Sequence, residues 1–392
     1  KRILYLLPVK GGSGGAHSVI QEVRGMQRVG VFVQVAVPVA YKANYSMNYP
    51  NYKKELFFFY NNELELERYS RNFHVVVATI FTTVKLLKTM VEKHPHIQPA
   101  YYIQDYEPWF EPEGSWLHKE AFDSYDLIPG MLGFAKTSWL IDKIAEHHDL
   151  KVSKVQPSLD HSIYYPASPE DPSHNGPVVV SAMIRPKTPR RNAELTMKVL
   201  SEVKRSLAEK VEIHIFGCEK KDPKYKHLIR DFAFVNHELC TQQQVAEILR
   251  NSDVFVDFST YQAFGRTGLE AMACGSAVIL PKNCGTAEYA IDGENASLVD
   301  TSQPDQMVKA LAELIENPEI LASYKRKALE TAKKFNIDAA SSSILDLLPT
   351  AWNKKSKNRR ESEKNNGVEK RQRGRPTVIV AQKRSSSAEE RT

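Results

Sequence analysis

The chain has only four cysteines, Cys218, Cys240, Cys274 and Cys284, and none stands in a C-x-x-C or zinc-ligand spacing. Free thiols and a reducing compartment are therefore expected. No apolar run approaches the roughly 18–20 residues that a membrane-spanning helix needs, and the first residues lack a secretory signal pattern. His94, His96 and the His147-His148 pair have no acid or cysteine pattern beside them, so they are expected at the surface or as caps. No Ser-His-Asp grouping is suggested. Excess charge is also missing where it would matter. The net charge of +6 comes from residues 353–392, which hold 13 Lys/Arg against 5 Asp/Glu, so residues 1–352 sit near −2 (6 − 8). The globular part thus carries no nucleic-acid signature.

What is present is a soluble-protein composition, 42% hydrophobic and 9% aromatic, in 392 residues, enough for two ordinary domains. Strand-like runs at 2–8, 31–39, 73–79 and 99–104 alternate with helical stretches at 16–28 and 82–93. The rhythm repeats with strands at 177–183, 211–216, 253–258, 277–280 and 296–299. Helices are expected there at 190–208, 241–250, 266–273, 303–316, 318–334 and 338–350. Alternation of this kind predicts parallel sheets, and the Pro-rich stretch near 158–177 predicts a boundary. The expected fold class is α/β, two doubly wound Rossmann-like domains facing a cleft. They would span 1–158 and 159–338, with a helix at 339–352 returning to the first domain. Residues 353–392 read as a basic linker or disordered tail. The TVIVA run at 377–381 could open a following domain. Arg373-Gly374-Arg375-Pro376 alone is weak ground for a minor-groove binder. The chain begins at Lys1 on a strand-like run, so a piece of a longer protein with further domains is expected.

Four segments carry chemistry. Residues 262–288, QAFGRTGLEAMACGSAVILPKNCGTAE, hold a glycine turn, a helix bearing Glu270, a short strand, and a second glycine turn followed by Glu288. A helix starting near Arg266 would present its free N–H groups, including those of Thr267 and Gly268 after Gly265, at the carboxyl edge of the sheet, where anions bind. Residues 184–192, IRPKTPRRN, bring Arg185, Arg190 and Arg191 to the end of a strand, and guanidinium groups match phosphate oxygens. Residues 10–17, KGGSGGAH, include Gly14 and Gly15, whose use must be backbone approach or flexibility. Residues 101–110, YYIQDYEPWF, combine Asp105 and Glu107 with aromatics such as Trp109 that suit stacking on sugar rings or packing in a core.

The run of Phe264, Gly265, Leu269, Glu270, Ala271, Met272, Ala273, Cys274 and Gly275, with Gly285 and Glu288 behind it, resembles the donor site of glycosyltransferase family 4, retaining enzymes of the GT-B fold. The Q-D-Y-E-P string at 104–108 looks like bacterial rhamnosyltransferases that build rhamnan-type surface polysaccharides. The resemblance implies a nucleotide diphosphate sugar as donor and a glycan or lipid-linked glycan as acceptor. It implies no metal and no other cofactor, in keeping with the absence of any D-x-D string, and a cytoplasmic enzyme working at or near the inner face of a membrane. Glu270 would hold the ribose. Arg185 and Arg190, with Arg191 as the rival of Arg190, would hold the diphosphate, and Gly14, Gly15, Gly265, Arg266, Thr267, Gly268 and Glu288 would surround the donor. Asp105 and Gln262 would serve the reacting sugar, and Glu107 and Trp109 the acceptor. Gln262 stands where the family most often has glutamate, and Gln104 where it commonly has histidine. A catalytically silent sugar-nucleotide or glycan-binding module of the same fold is the competing expectation.

Overall fold

Strands buried on both faces explain the uninterrupted apolar runs: RILYL, VVVA, VVVSAM and AVILP each sit inside a parallel sheet covered by helices. The computed structural model describes residues 1–50, 52, 54–168 and 176–348. The expected tail at 353–392, the TVIVA and RGRP segments within it, and the last residues of the expected C-terminal helix lie outside them.

The first sheet contains β1 (Arg2–Leu6), β2 (Phe32–Pro38), β3 (Phe57–Tyr60), β4 (Val75–Ala78), β5 (Gln98–Ile103), β6 (Leu132–Ala135) and β7 (Val152–Lys154). Its order is β3-β2-β1-β4-β5-β6-β7, all parallel, with Ile3 in register with Val33 on one side and Val75 on the other. The second sheet contains β8 (Val178–Met183), β9 (Val211–Phe216), β10 (Val235–Asn236), β11 (Val254–Val256), β12 (Ala277–Pro281) and β13 (Ser297–Val299). Its order is β10-β9-β8-β11-β12-β13, again parallel, with Val180 between Ile213 and Val254. Each sheet therefore reverses its winding once, between β1 and β4 and between β8 and β11. Ligands of open α/β sheets bind at the carboxyl ends of strands at such points.

Several local expectations are corrected. β3, β6, β7 and β10, of four, four, three and two residues, have no counterpart among the expected strands. The first helix begins at Gly14 rather than Ala16: Ser13 caps it, its Oγ accepting from the Ala16 N–H, so Gly14 and Gly15 form the first turn and not a loop. Of the two uses left open for the aromatics of 101–110, Tyr101 and Tyr102 take the core, both being fully buried. His148 is no surface residue; it is buried between Tyr106 and Asp126, at 3.1 Å from each. His94 does cap the helix Phe81–Lys93, as expected, and it also meets an acid, Glu67, at 2.7 Å.

The helix at 337–348 returns to the first lobe, where the Ser341 hydroxyl donates to the Glu22 carbonyl at 2.9 Å and Asp338 meets Arg28. Gly25 permits this crossing, since a Cβ there would stand 2.0 Å from the Ser341 hydroxyl. No helix among the described residues is long and apolar enough to cross a membrane.

Candidate active site between the two sheets

The turn before the helix Arg266–Cys274 is built on glycine for steric reasons. Gly265 has φ +78°, a conformation that L side chains rarely adopt, and starts the helix from there. Behind it, a Cβ on Gly285 would fall 1.9 Å from the Ala263 carbonyl oxygen, while the Gly285 N–H donates to the Gln262 carbonyl at 2.7 Å. The two glycine turns of the 262–288 segment are thus one packed unit. The amino end of the helix faces the amino end of the first-lobe helix Gly14–Arg28. Two helix N-termini supply partial positive charge to the space between them.

Two cavities open along this seam. The first, about 380 Å³, is lined by Gly14, Gly15, Gln104, Asp105, Glu107, Lys136, Arg190, Arg191, Gln262, Gly265 and Arg266, among others. The second, about 400 Å³, includes Gly14, Arg185, Arg191, Arg266, Thr267 and Glu270, with Met183, Phe216, Leu239 and Val245 as an apolar wall. Gly14, Arg191 and Arg266 line both. The structure therefore brings Arg185 together with Arg191 and Glu270, and Arg190 together with Asp105 and Gln262. It does not bring Arg185 and Arg190 to one cavity. Gly268 is turned to the interior, where a Cβ would stand 2.5 Å from the Tyr289 hydroxyl. Glu288 lines neither cavity: its carboxylate meets Lys154 at 2.7 Å and the Ser138 N–H at 3.3 Å on the first lobe. Trp109 is half exposed beside the first cavity, edge-on to Tyr261 at 5.0 Å and near Trp139 at 6.0 Å.

Charge in the first cavity is arranged in pairs. Arg190 Nη2 lies 2.8 Å from Asp105 Oδ2, and burial pushes the Asp105 carboxyl above its usual range while Arg190 opposes that. Glu107 is buried without an ion-pair partner among the described residues. It accepts from the Phe81 N–H at 2.5 Å, and burial pushes its pKa up to about 8, so it is protonated at neutral pH.

Between the cavities lies a buried polar cluster that reading the sequence missed. Arg266 donates to Glu270 at 2.7 Å, to Ser18 Oγ at 2.9 Å and to Gln21 Oε1 at 2.9 Å. Lys136 Nζ is 2.9 Å from both Ser18 Oγ and Glu22 Oε1. Burial lowers the Lys136 pKa, and Glu22 opposes the shift. Burial likewise raises the Glu270 carboxyl, with Arg266 and the Tyr164 hydroxyl acting against it. The hint in the sequence is the spacing of Ser18, Gln21 and Glu22, which puts three polar side chains on one face of the helix. His17, beside Arg266 and the Tyr49 hydroxyl, is held neutral, its pKa driven down to about 3 chiefly by burial.

Such a site offers guanidinium groups and helix N-termini to an anion, a buried carboxylate to a diol, and an apolar wall to a flat ring. Comparison with known proteins agrees in outline. The O-antigen biosynthesis protein RfbC of Myxococcus xanthus is 26% identical over 240 residues, 61% of this chain and 18% of that protein. The D-inositol 3-phosphate glycosyltransferase 2 of Catenulispora acidiphila is 31% identical over 106 residues, 27% of this chain and 25% of that protein. The chain thus spans a quarter or less of the length of these two relatives. Among solved structures, Anabaena Alr3699/HepE in complex with UDP and glucose superposes with a TM-score of 0.73 at 14% identity, over 89% of this chain and 99% of that one. The two-sheet architecture is the GT-B fold. Residues 169–331 match the family model for glycosyl transferases group 1.

Proposed function

We propose that the chain is a retaining, metal-independent glycosyltransferase of the family 4 type, moving a sugar from a nucleotide diphosphate sugar to a glycan acceptor in surface polysaccharide synthesis. The observation that carries this reading is the second cavity, where Arg185, Arg191, Thr267 and Glu270 meet at the carboxyl edge of the second sheet beside an apolar wall. The base would lie against Met183, Phe216 and Leu239, the ribose hydroxyls on Glu270, and the diphosphate against Arg185, Arg191 and the helix N-terminus. The sugar would then project into the first cavity toward Gln262 and Asp105. HepE, of the same fold, was solved with UDP and glucose, and RfbC is an O-antigen biosynthesis protein. Rhamnose is the sugar favoured by the Q-D-Y-E-P segment.

In this reading the bond from the sugar C1 to the diphosphate breaks with its electron pair going to the phosphate oxygen. The acceptor hydroxyl bonds to C1 on the same face, and its proton passes to the departing phosphate. Arginine donors preorganised at the diphosphate stabilise the charge that develops there, and the ring passes through an oxocarbenium-like state.

The test is incubation with dTDP-, UDP- and GDP-sugars and glycan acceptors, following nucleotide diphosphate release with and without EDTA. Release that survives EDTA is expected. Donor binding without turnover on any acceptor would favour the silent binding module, which Gln262 motivates. Loss of release in EDTA would contradict the metal-independent mechanism.

A further inference from the structure

One carboxylate near the first cavity belongs to none of the recognised motifs. Asp257 follows β11 and is buried. Its Oδ1 accepts from the Ser259 N–H at 3.0 Å and from the Ser259 hydroxyl. Its Oδ2 accepts from Gln262 Nε2 at 2.6 Å, with Arg191 Nη1 at 3.5 Å. The other proton of the Gln262 amide goes to Ser259 Oγ at 3.1 Å.

A carboxylate has no proton to give, so it is the nitrogen of Gln262, not the oxygen, that must face Asp257. Both amide protons are then spent inward. Gln262 lines the cavity, and its side-chain oxygen is the polar atom left to face a ligand. Glutamate at this position would bring a second carboxylate against Asp257 at hydrogen-bond distance, and one of the two would have to take up a proton. Gln262 and Asp257 therefore hold one negative charge between them, seated one side chain behind the cavity wall.

We infer that Asp257 is a positioning residue for the transferred sugar: it locks the Gln262 amide so that the site offers a single hydrogen-bond acceptor to a sugar hydroxyl. The missing glutamate is compensated by an acid five residues earlier. This rests on the proposed function, since it assumes that a nucleotide sugar occupies the seam.

The test uses the whole chain and three variants, Asp257→Asn, Gln262→Glu and the double variant. Binding of UDP-glucose, GDP-mannose and dTDP-rhamnose is measured by calorimetry, each against its own nucleoside diphosphate. The ratio of the two affinities isolates the sugar, and a merely structural defect would not move it. Each single variant is expected to lower that ratio about tenfold while nucleoside diphosphate affinity stays within about threefold. The double variant, which moves the charge to position 262, is expected to recover most of the loss. An unchanged ratio in Asp257→Asn, or a double variant as poor as the two losses multiplied, overturns this inference alone. A wild-type chain that binds none of the three sugars and none of the diphosphates overturns the proposed function, and this inference with it.

Discussion

Arg190 and Asp105 form an ion pair of 2.8 Å between the second lobe and the first, joining the basic loop after β8 to the carboxyl end of β5. The pair holds Arg190 at the first cavity, with its guanidinium also over the rings of Tyr261 and Phe110 at 5.2 and 5.6 Å. Asp105→Asn would leave that cation without its anion. Breaking a buried pair by removing one partner costs about 3–5 kcal/mol, and the partial exposure of both groups puts the expected loss at the lower end. Urea unfolding of the variant measures it, and an unchanged midpoint would show that the pair contributes nothing to holding the lobes.

Arg185 has no ion-pair partner among the described residues, and it shares its cavity with Arg191 and Glu270. Hydrogen bonds to charged groups contribute about 1.5–3 kcal/mol. Arg185→Ala should therefore weaken nucleoside diphosphate binding by roughly ten- to a hundredfold, whereas Arg190→Ala should leave it nearly unchanged. Titration calorimetry distinguishes the two. Equal losses would mean that Arg190 swings to the diphosphate and that the Asp105 pair opens on binding.

Glu107 and His17 impose opposite pH dependences on stability. Glu107 keeps its proton in the folded chain up to about pH 8, against an ordinary value of 4.5, so the folded state binds the extra proton and stability falls as pH rises between those values. His17 stays neutral down to about pH 3, against 6.5, so its contribution is lost as pH falls through that window. Between pH 6.5 and 8 only the Glu107 slope of these two remains, at most about 1.4 kcal/mol per pH unit. Glu107→Gln should flatten the stability curve there, as followed by denaturant unfolding at several pH values. A variant with the wild-type slope would place the buried proton elsewhere.

Gly285→Ala would drive a methyl group into the Ala263 carbonyl, at 1.9 Å. Backbone cannot yield as a side chain does, so a loss of about 1–3 kcal/mol or more is expected, together with weaker nucleotide binding because the Gly265 turn is packed on the same unit. Gly30, open to solvent, serves as the control for thermal unfolding, although its φ of +80° adds some strain of its own. A Gly285→Ala chain as stable as wild type would contradict the packing described.

Much of the second lobe was legible because its signals are local and dense. The FGRTGLEAMACGSAVIL run holds a turn, a helix and a strand within a few residues, and the helix lies at Arg266–Cys274 against an expected 266–273. The arginines at 185, 190 and 191 were visible, but their division between two cavities depends on where the first lobe stands. Lys136, Ser18 and Glu22 were invisible for the same reason: Ser18 and Lys136 lie 118 residues apart in the chain and meet only in the fold. Glu288 follows a glycine turn as a donor ligand would, yet it reaches Lys154 instead, and nothing in its neighbourhood of sequence names that partner. Asp257 is one of two acids within the strand-like run at 253–258, and nothing in that run names the Gln262 amide it meets in the fold.

A crystal structure of the chain soaked with UDP-, GDP- and dTDP-sugars decides whether a nucleotide sugar lies along the seam with its nucleotide on the second lobe. Diphosphate oxygens are expected within hydrogen-bond distance of Arg185 and Arg191, ribose hydroxyls on Glu270, and the sugar beside Gln262. A nucleotide bound with its diphosphate on Arg190 and Lys136 in the first cavity, leaving Arg185 and Glu270 without contact, would contradict this placement.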